Sequence, residues 1–165
     1  MLQKQFTIRK ANEADINEIV QLRMDFLKEI GMVKCAAESD FMTQKNLTYF
    51  QDKMPAKETI VWLIEKGKNV VCTGAVTIFH GPPLCEKMQG EEAYIYNIYT
   101  IPDFRRQGLG TWMTQHIIDE LKKMKLAYVW LRTSKQGKAI YESLGFASQP
   151  KTMDMILVPD AELCY

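Results

Sequence analysis

FRRQGLGTW, residues 104–112, sets two arginines, a glutamine and two alternating glycines directly before a run with helical spacing. Ahead of it, AYIYNIYT (93–100) is rich in β-branched and aromatic residues and reads as a strand that Pro102 ends. Behind it, Leu109, Met113, Ile117, Leu121 and Met124 form the stripe of a helix with one buried face. The unit is strand, glycine loop, helix. Amides at a helix start lack intrahelical acceptors and lie at the positive end of the macrodipole, and glycines let a ligand approach them without meeting a Cβ atom. Two readings stand. The loop holds a phosphate, with Arg105 and Arg106 adding charge-assisted hydrogen bonds, or it is a tight turn whose glycines serve packing and whose arginines are solvated.

Outward from this unit, QFTIRKA reads as a first strand, and Ile16, Ile19, Val20, Leu27 and Ile30 recur at helical spacing up to Gly31, with Asn12 as the cap. Ser39 to Lys53 is expected as a second helix closed by Pro55. TIVWLIE (59–65) and VVCTGAVTIF (70–79) flank the turn-like KGKN and predict an antiparallel hairpin, with Gly74 marking a bulge or a close backbone approach. His80 to Gly90, with Gly-Pro-Pro and no period, reads as a loop on the acceptor side. Tyr128 to Arg132 reads as a strand, Gln136 to Leu144 as a short helix stopped by Gly145, and Met153 to Val158 as a last strand. The expected fold is α/β (α+β): a mixed, mainly antiparallel central sheet flanked by about four helices, in a single domain over residues 1–165.

A net charge of +1, from 21 basic and 20 acidic residues, removes the electrostatic argument for nucleic acid or an anionic membrane. No apolar run reaches bilayer length, and MLQKQFTIRK lacks a secretory signal, so the expected location is the cytoplasm. Cys35, Cys72, Cys85 and Cys164 are scattered and read as reduced thiols. His80 and His116 lack partners at metal-ligand spacing, so no metal is expected.

The position three residues past Gly110 is Met113, which disfavours a dinucleotide fingerprint, and no Gly-Lys-Ser/Thr is present for a nucleoside triphosphate. Arg105-Arg106-Gln107-Gly108-Leu109-Gly110 instead resembles the [QR]-x-x-G-x-[GA] acyl-coenzyme A signature of the GNAT N-acetyltransferase superfamily. NIYTIPDFRRQGLG resembles that family's strand-to-loop segment and AIYESLGF its C-terminal segment, and the order of elements from Phe6 to Val158 matches as well.

The resemblance implies an acyltransferase that moves an acetyl group from acetyl-CoA to a primary amine of a small molecule or peptide, and a possible homodimer. It implies that the pantetheine arm pairs with Ile98, Tyr99 and Thr100, with the amide of Ile98 polarising the thioester carbonyl. The diphosphate would sit on the amides of Arg106, Gln107, Gly108, Leu109, Gly110 and Thr111, with the side chain of Arg105 or Arg106 nearby. Tyr141 stands at the family's tyrosine position, where a phenol protonates the departing thiolate, and its ring also suits packing beneath the sheet. Ser134 and Gly137 depart from the Asn-x-x-Ala-x-x-x-Tyr pattern; Ser134 can still bond the pantetheine or the backbone. Glu92 and Tyr94 lie where some relatives carry the base, while Glu91 and Glu92 also read as solvated loop charges, and Asn97 either orients the acceptor or satisfies a strand edge. Two other functions remain open: a non-catalytic acyl-CoA binding or sensing module, and a thiol mechanism using Cys85 with His80.

Overall fold

The computed structural model describes residues 5–83, 90–134 and 137–149. In chain order these form β1 (Thr7–Lys10), α1 (Ile16–Glu29), α2 (Ala36–Lys53), β2 (Thr59–Lys66), β3 (Asn69–His80), β4 (Glu91–Thr100), α3 (Leu109–Lys123), β5 (Val129–Leu131) and α4 (Lys138–Ser143). The strands lie in the order β1-β2-β3-β4-β5. All neighbours are antiparallel except β4 and β5, which run parallel because α3 carries the chain back between them. This is the mixed, mainly antiparallel sheet with four helices that the sequence predicts. The expected strand Met153–Val158, Gln136, Cys85 and Cys164 lie outside the described residues.

Local chemistry sets the element ends. Asn12 caps a single 3-10 turn ahead of α1 rather than α1 itself: its side chain accepts from the Ala14 amide at 2.9 Å, and the Asp15 carboxylate accepts from the Asn12 amide at 2.8 Å. Helix α2 begins at Ala36, earlier than the expected Ser39. The Ser39 amide already donates to the Cys35 carbonyl at 3.0 Å, and Glu38 supplies an acidic group in the first turn, complementing the dipole. The KGKN segment turns at Gly67, whose φ of 65° is left-handed.

The sheet separates two apolar layers. Leu109, Met113, Ile117 and Leu121 of α3 pack on one face with Trp62, Ile64, Cys72, Val76, Ala93 and Ile95. Ile19, Val20, Leu27 and Phe50 of α1 and α2 pack on the other with Val61, Leu63, Ala75 and Tyr99. Side chains of β4 alternate between these layers until Asn97, where the alternation changes phase. Ala93 and Ile95 face α3 and Tyr96 faces α1 and α2, yet beyond Asn97 it is Ile98 that joins the α3 layer and Tyr99 the other. The cause is a bulge: the β3–β4 register shifts between Thr73/Tyr99 and Ala75/Tyr96, and Asn97 takes φ 55°.

Gly74 lies opposite this bulge, on the β3 side of the register shift. A Cβ there would stand 2.6 Å from Met113 Cγ, 2.8 Å from Ile98 Cδ1 and 3.0 Å from Ile117 Cδ1, so the bare backbone is what lets α3 and Ile98 close on the sheet. Gly74→Val is expected to lower stability by roughly 1–3 kcal/mol through overpacking. The urea midpoint should fall with the slope unchanged.

Candidate functional site

The loop Arg105–Gly108 leads into α3 without a side-chain cap. Its backbone alternates in hand: Arg106 has φ 59° and Gly108 φ 82°. Alternation of this kind turns successive N–H groups toward one concavity, an anion nest. The Arg105 amide is used by the Pro102 carbonyl at 3.2 Å and the Trp112 amide by the Gly108 carbonyl at 2.9 Å. Among the described residues no hydrogen-bond acceptor takes the amides between them, those of Arg106, Gln107, Gly108, Leu109, Gly110 and Thr111. An unbroken run of unsatisfied donors at a helix N-terminus suits a group with several anionic oxygens, as a diphosphate has. The residues present therefore fit the diphosphate of coenzyme A.

The two arginines have different surroundings. Arg105 donates to the Glu29 carboxylate through Nη1 at 2.8 Å and Nη2 at 2.5 Å, and through Nε to the Thr100 carbonyl at 2.9 Å. It fastens the end of β4 to the C-terminal end of α1, and its hydrogen bonds hold the Glu29 carboxyl below the usual carboxylate range. Arg106 makes no such bridge among the described residues and is the arginine left to face an anion.

Beside the nest, β4 and β5 part. Their pairing runs Ala93↔Val129, Tyr94↔Trp130 and Ile95↔Leu131 and ends there, whereas β4 stays paired with β3 to Thr100. From Asn97 to Thr100, including Ile98 and Tyr99, the other edge of β4 has no strand beside it among the described residues. Gly110 faces this gap: a Cβ on it would meet nothing closer than Ile140 Cδ1 and Ile98 Cγ2, both at 3.9 Å. The helix start, the free strand edge and α4 thus lie side by side. Within the bulge, Asn97 is 4% exposed, and neither atom of its side-chain amide has a hydrogen-bond partner among the described residues, so it does not satisfy the strand edge there.

Tyr141 lies on α4, half-buried, edge-on to Phe146 at 6.0 Å between centroids. Burial raises its phenol above the ordinary tyrosine value, with smaller contributions from Cys72 and Tyr94. The Ser134 hydroxyl accepts from the Gly137 amide at 3.2 Å and so opens α4. A Cβ at 137 would stand 3.0 Å from Thr133 Oγ1 and 3.1 Å from Tyr141 Cε2, so alanine here would press those side chains aside by a few tenths of an ångström. Tyr94 is sandwiched, stacked on Tyr96 at 5.6 Å and against Trp130 at 4.3 Å, while Glu92 sits opposite Phe79 further from the bulge. Cys72 is fully buried, receives a hydrogen bond from the Thr100 hydroxyl at 3.3 Å, and has its thiol pushed up to about 12 by burial, which leaves it an inert packing group.

On the α1/α2 face of the sheet is a cavity of about 320 Å³. Its walls come from Arg23 on α1, Lys45, Asn46 and Tyr49 with Met42 on α2, and Thr77, Phe79, Tyr94 and Tyr96 on the sheet. Sequence reading singled out Tyr94 alone from this group, because the remaining members are separated by many residues and converge only through packing.

A model for a family described as "Acetyltransferase (GNAT) family" matches residues 18–146. Among solved structures, a predicted acetyltransferase from Clostridium acetobutylicum, crystallised with acetyl-CoA, superimposes with a TM-score of 0.83 at 25% identity, over 92% of this chain and 96% of that one. A GCN5-related N-acetyltransferase from Ralstonia eutropha gives a TM-score of 0.82 at 18% identity, over 92% and 98% of the two chains, and shares the fold. A ribosomal protein bS18-alanine N-acetyltransferase of Escherichia coli is 46% identical over 59 residues, 34% of this chain; the match spans only 40% of that protein's length.

The Gly108 and Gly110 positions separate folding from binding. A side chain at Gly108 is strained by φ 82° whatever the space, whereas a Cβ at Gly110 makes only ordinary contacts with Ile140 and Ile98. Gly110→Glu is therefore expected to melt as a cooperative unit near the parent temperature while coenzyme A binding, measured by calorimetry, weakens by about a hundredfold or more through bulk and like charge.

Proposed function

Because the chain belongs to the acetyltransferase (GNAT) family, we propose that it transfers the acetyl group of acetyl-CoA to a primary amine by direct attack, with both substrates bound together. The observation that carries this reading is the run of amides from Arg106 to Thr111, unpaired among the described residues, beside the edge where β4 loses β5. The bound thioester supplies an activated acetyl group, and every further contribution comes from the chain's own residues.

The amides of residues 106–111 hold the diphosphate, with the Arg106 guanidinium beside it. Ile98, Tyr99 and Thr100 offer the pantetheine arm a free strand edge, so the arm docks as an added strand would. The Ile98 amide, just past the bulge, is the donor toward the thioester oxygen, where charge develops during attack. Ser134, bonded to the Gly137 amide, acts by orienting α4. Tyr141 then meets the coenzyme sulfur and gives it a proton as the thiolate departs. Its raised pKa keeps the phenol protonated through neutral pH, as a donor must be.

Attack requires a neutral amine. The cavity beside Tyr94 and Tyr96 carries Arg23 and Lys45, and among the described residues no carboxylate stands in its walls. Such surroundings disfavour a further positive charge and lower the pKa of an amine held there, which supplies the nucleophile without a dedicated carboxylate base. Tyr94 lines this cavity, whereas Glu92 lines the separate groove that also holds Tyr141, so for an amine held in the cavity Tyr94 is the residue to accept or relay the proton.

Tyr141→Phe is expected to lower kcat about a hundredfold with little change in coenzyme A affinity. Since a donor works only while protonated, the parent should lose activity as pH rises through a value above the ordinary 10.0, and the variant should lack that limb. Undiminished turnover in Tyr141→Phe rejects the proton-donor role. Release of free thiol from acetyl-CoA in the presence of a panel of amines, with acetylated product identified by mass, tests the activity itself. Intersecting initial-rate lines support direct attack, and an acetylated chain formed without amine overturns it. Binding without turnover for every amine class would replace the enzyme by a binding module.

A further inference from the structure

Arg23 is a cation without a counter-charge among the described residues. It projects from α1 into the cavity on the α1/α2 face, largely buried, with its guanidinium carbon 5.6 Å from the centroid of the Tyr96 ring. Its one hydrogen bond among the described residues runs from Nε to the amide oxygen of Asn46 at 2.5 Å. That oxygen is held in place from behind, because the nitrogen of the same amide donates to the Met42 carbonyl at 2.7 Å. The terminal nitrogens Nη1 and Nη2, the planar fork of the side chain, have no acceptor among the described residues, and no carboxylate pairs with the group. Burial pushes Arg23 below the ordinary arginine range, and only the phenols of Tyr96, Tyr49 and Tyr94 oppose that shift.

A desolvated cation with no anion beside it is unfavourable for folding and is kept for another reason. The rest of the cavity points the same way. Lys45 is a second, exposed cation in its walls, with its ammonium over the Phe41 ring at 5.4 Å, and neither Asp nor Glu lines it among the described residues. Opposite Arg23, the hydroxyls of Tyr49, Thr59 and Thr77 satisfy one another at 2.8, 2.8 and 3.0 Å, so they close the polar side of the sheet wall. Phe79, Tyr94 and Met42 supply flat and apolar surface. An acceptor that brought only positive charge, such as a polyamine, would meet like charge here with nothing to offset it.

We infer that the acceptor is a small amine bearing its own carboxylate, an amino acid or close analogue, and that the free fork of Arg23 holds that carboxylate. This deepens the proposed acetyl transfer and rests on it for the fate of the amine. A carboxylate has two coplanar oxygens that match the two free nitrogens of the fork, and it neutralises the single buried charge. A cavity of about 320 Å³ lies at the small end of ligand sites, consistent with a metabolite rather than a large sugar or a folded partner. With its carboxylate on Arg23, the acceptor stands against Tyr94 and Tyr96, and Tyr96 precedes the bulge residue Asn97 and the proposed oxyanion donor Ile98. Arg23 is then a specificity-determining residue: it binds the acceptor away from the reacting atoms.

The test uses the full chain and matched pairs that differ only in the carboxylate: an L-amino acid, its carboxamide, and the corresponding decarboxylated amine. Expected is a kcat/KM for some amino acids at least tenfold above both partners, lost in Arg23→Met through a higher KM at nearly constant kcat. The carboxylate-free amines should be unaffected by that substitution. Arg23→Lys, which keeps the charge and a donor for Asn46 but loses the fork, should fall between the two. Equal use of carboxylate-free amines, preference for phosphate-bearing amines, or an equal loss for all acceptors in Arg23→Met would each overturn the assignment.

A binding measurement separates this from failure of the transferase reading. Calorimetry of an N-acetyl amino acid against its carboxamide, with coenzyme A present, requires no turnover. Carboxylate-dependent binding that vanishes in Arg23→Met supports the Arg23 site even if no acetyl transfer is found; acetyl transfer with no such dependence removes the Arg23 site alone.

Discussion

Everything at this site depends on β4 being held on one edge and released on the other. Pairing to β3 continues to Thr100, while pairing to β5 stops at Ile95. A strand cannot leave a neighbour in mid-sheet without exposing backbone donors and acceptors, which are costly to leave unmet and therefore ready to pair with something else. The bulge at Asn97 accompanies that release. It changes which face each following side chain occupies, so that Ile98 reaches the α3 layer and Tyr99 the α1 layer. Asparagine suits the position because it tolerates the left-handed backbone that most residues avoid.

The same constraint explains parts of the sequence that otherwise look unrelated. Gly74 is bare because Ile98 and Met113 occupy the space a Cβ would need. Arg105 sits immediately after the strand because the parted end of β4 needs an anchor, which Glu29 on α1 provides. That pair is exposed, so its value is geometric more than energetic. Once β4 is anchored there, the loop that follows is free to present its amides, and Arg106 is left unbridged among the described residues.

The nest and the cavity share β4 but lie on opposite sides of the argument about charge. The nest gathers partial positive charge from backbone that is already part of the fold, without burying an ionised side chain. The cavity instead holds a largely buried guanidinium with no carboxylate among the described residues of its walls. One arrangement is built into the start of α3; the other is complete only when a ligand brings the missing charge.

Local order was legible in the chain itself. The strand-loop-helix unit, the hairpin around Gly67, the stripes of α1 and α3 and the glycine loop all follow from short-range rules of periodicity, turn chemistry and helix ends, which a contiguous segment states completely. Even Gly74 announced a close approach. What only the tertiary structure decided was the partnership of distant residues: that Arg105 is engaged by Glu29, that Asn97 is buried without a partner, and that Arg23 meets Asn46, Tyr94 and Tyr96 around one cavity. Such groupings arise from the packing of two helices onto a sheet, a relation between segments far apart in sequence. No local pattern encodes which side chains will then face each other, or which of them will be left without a counter-charge.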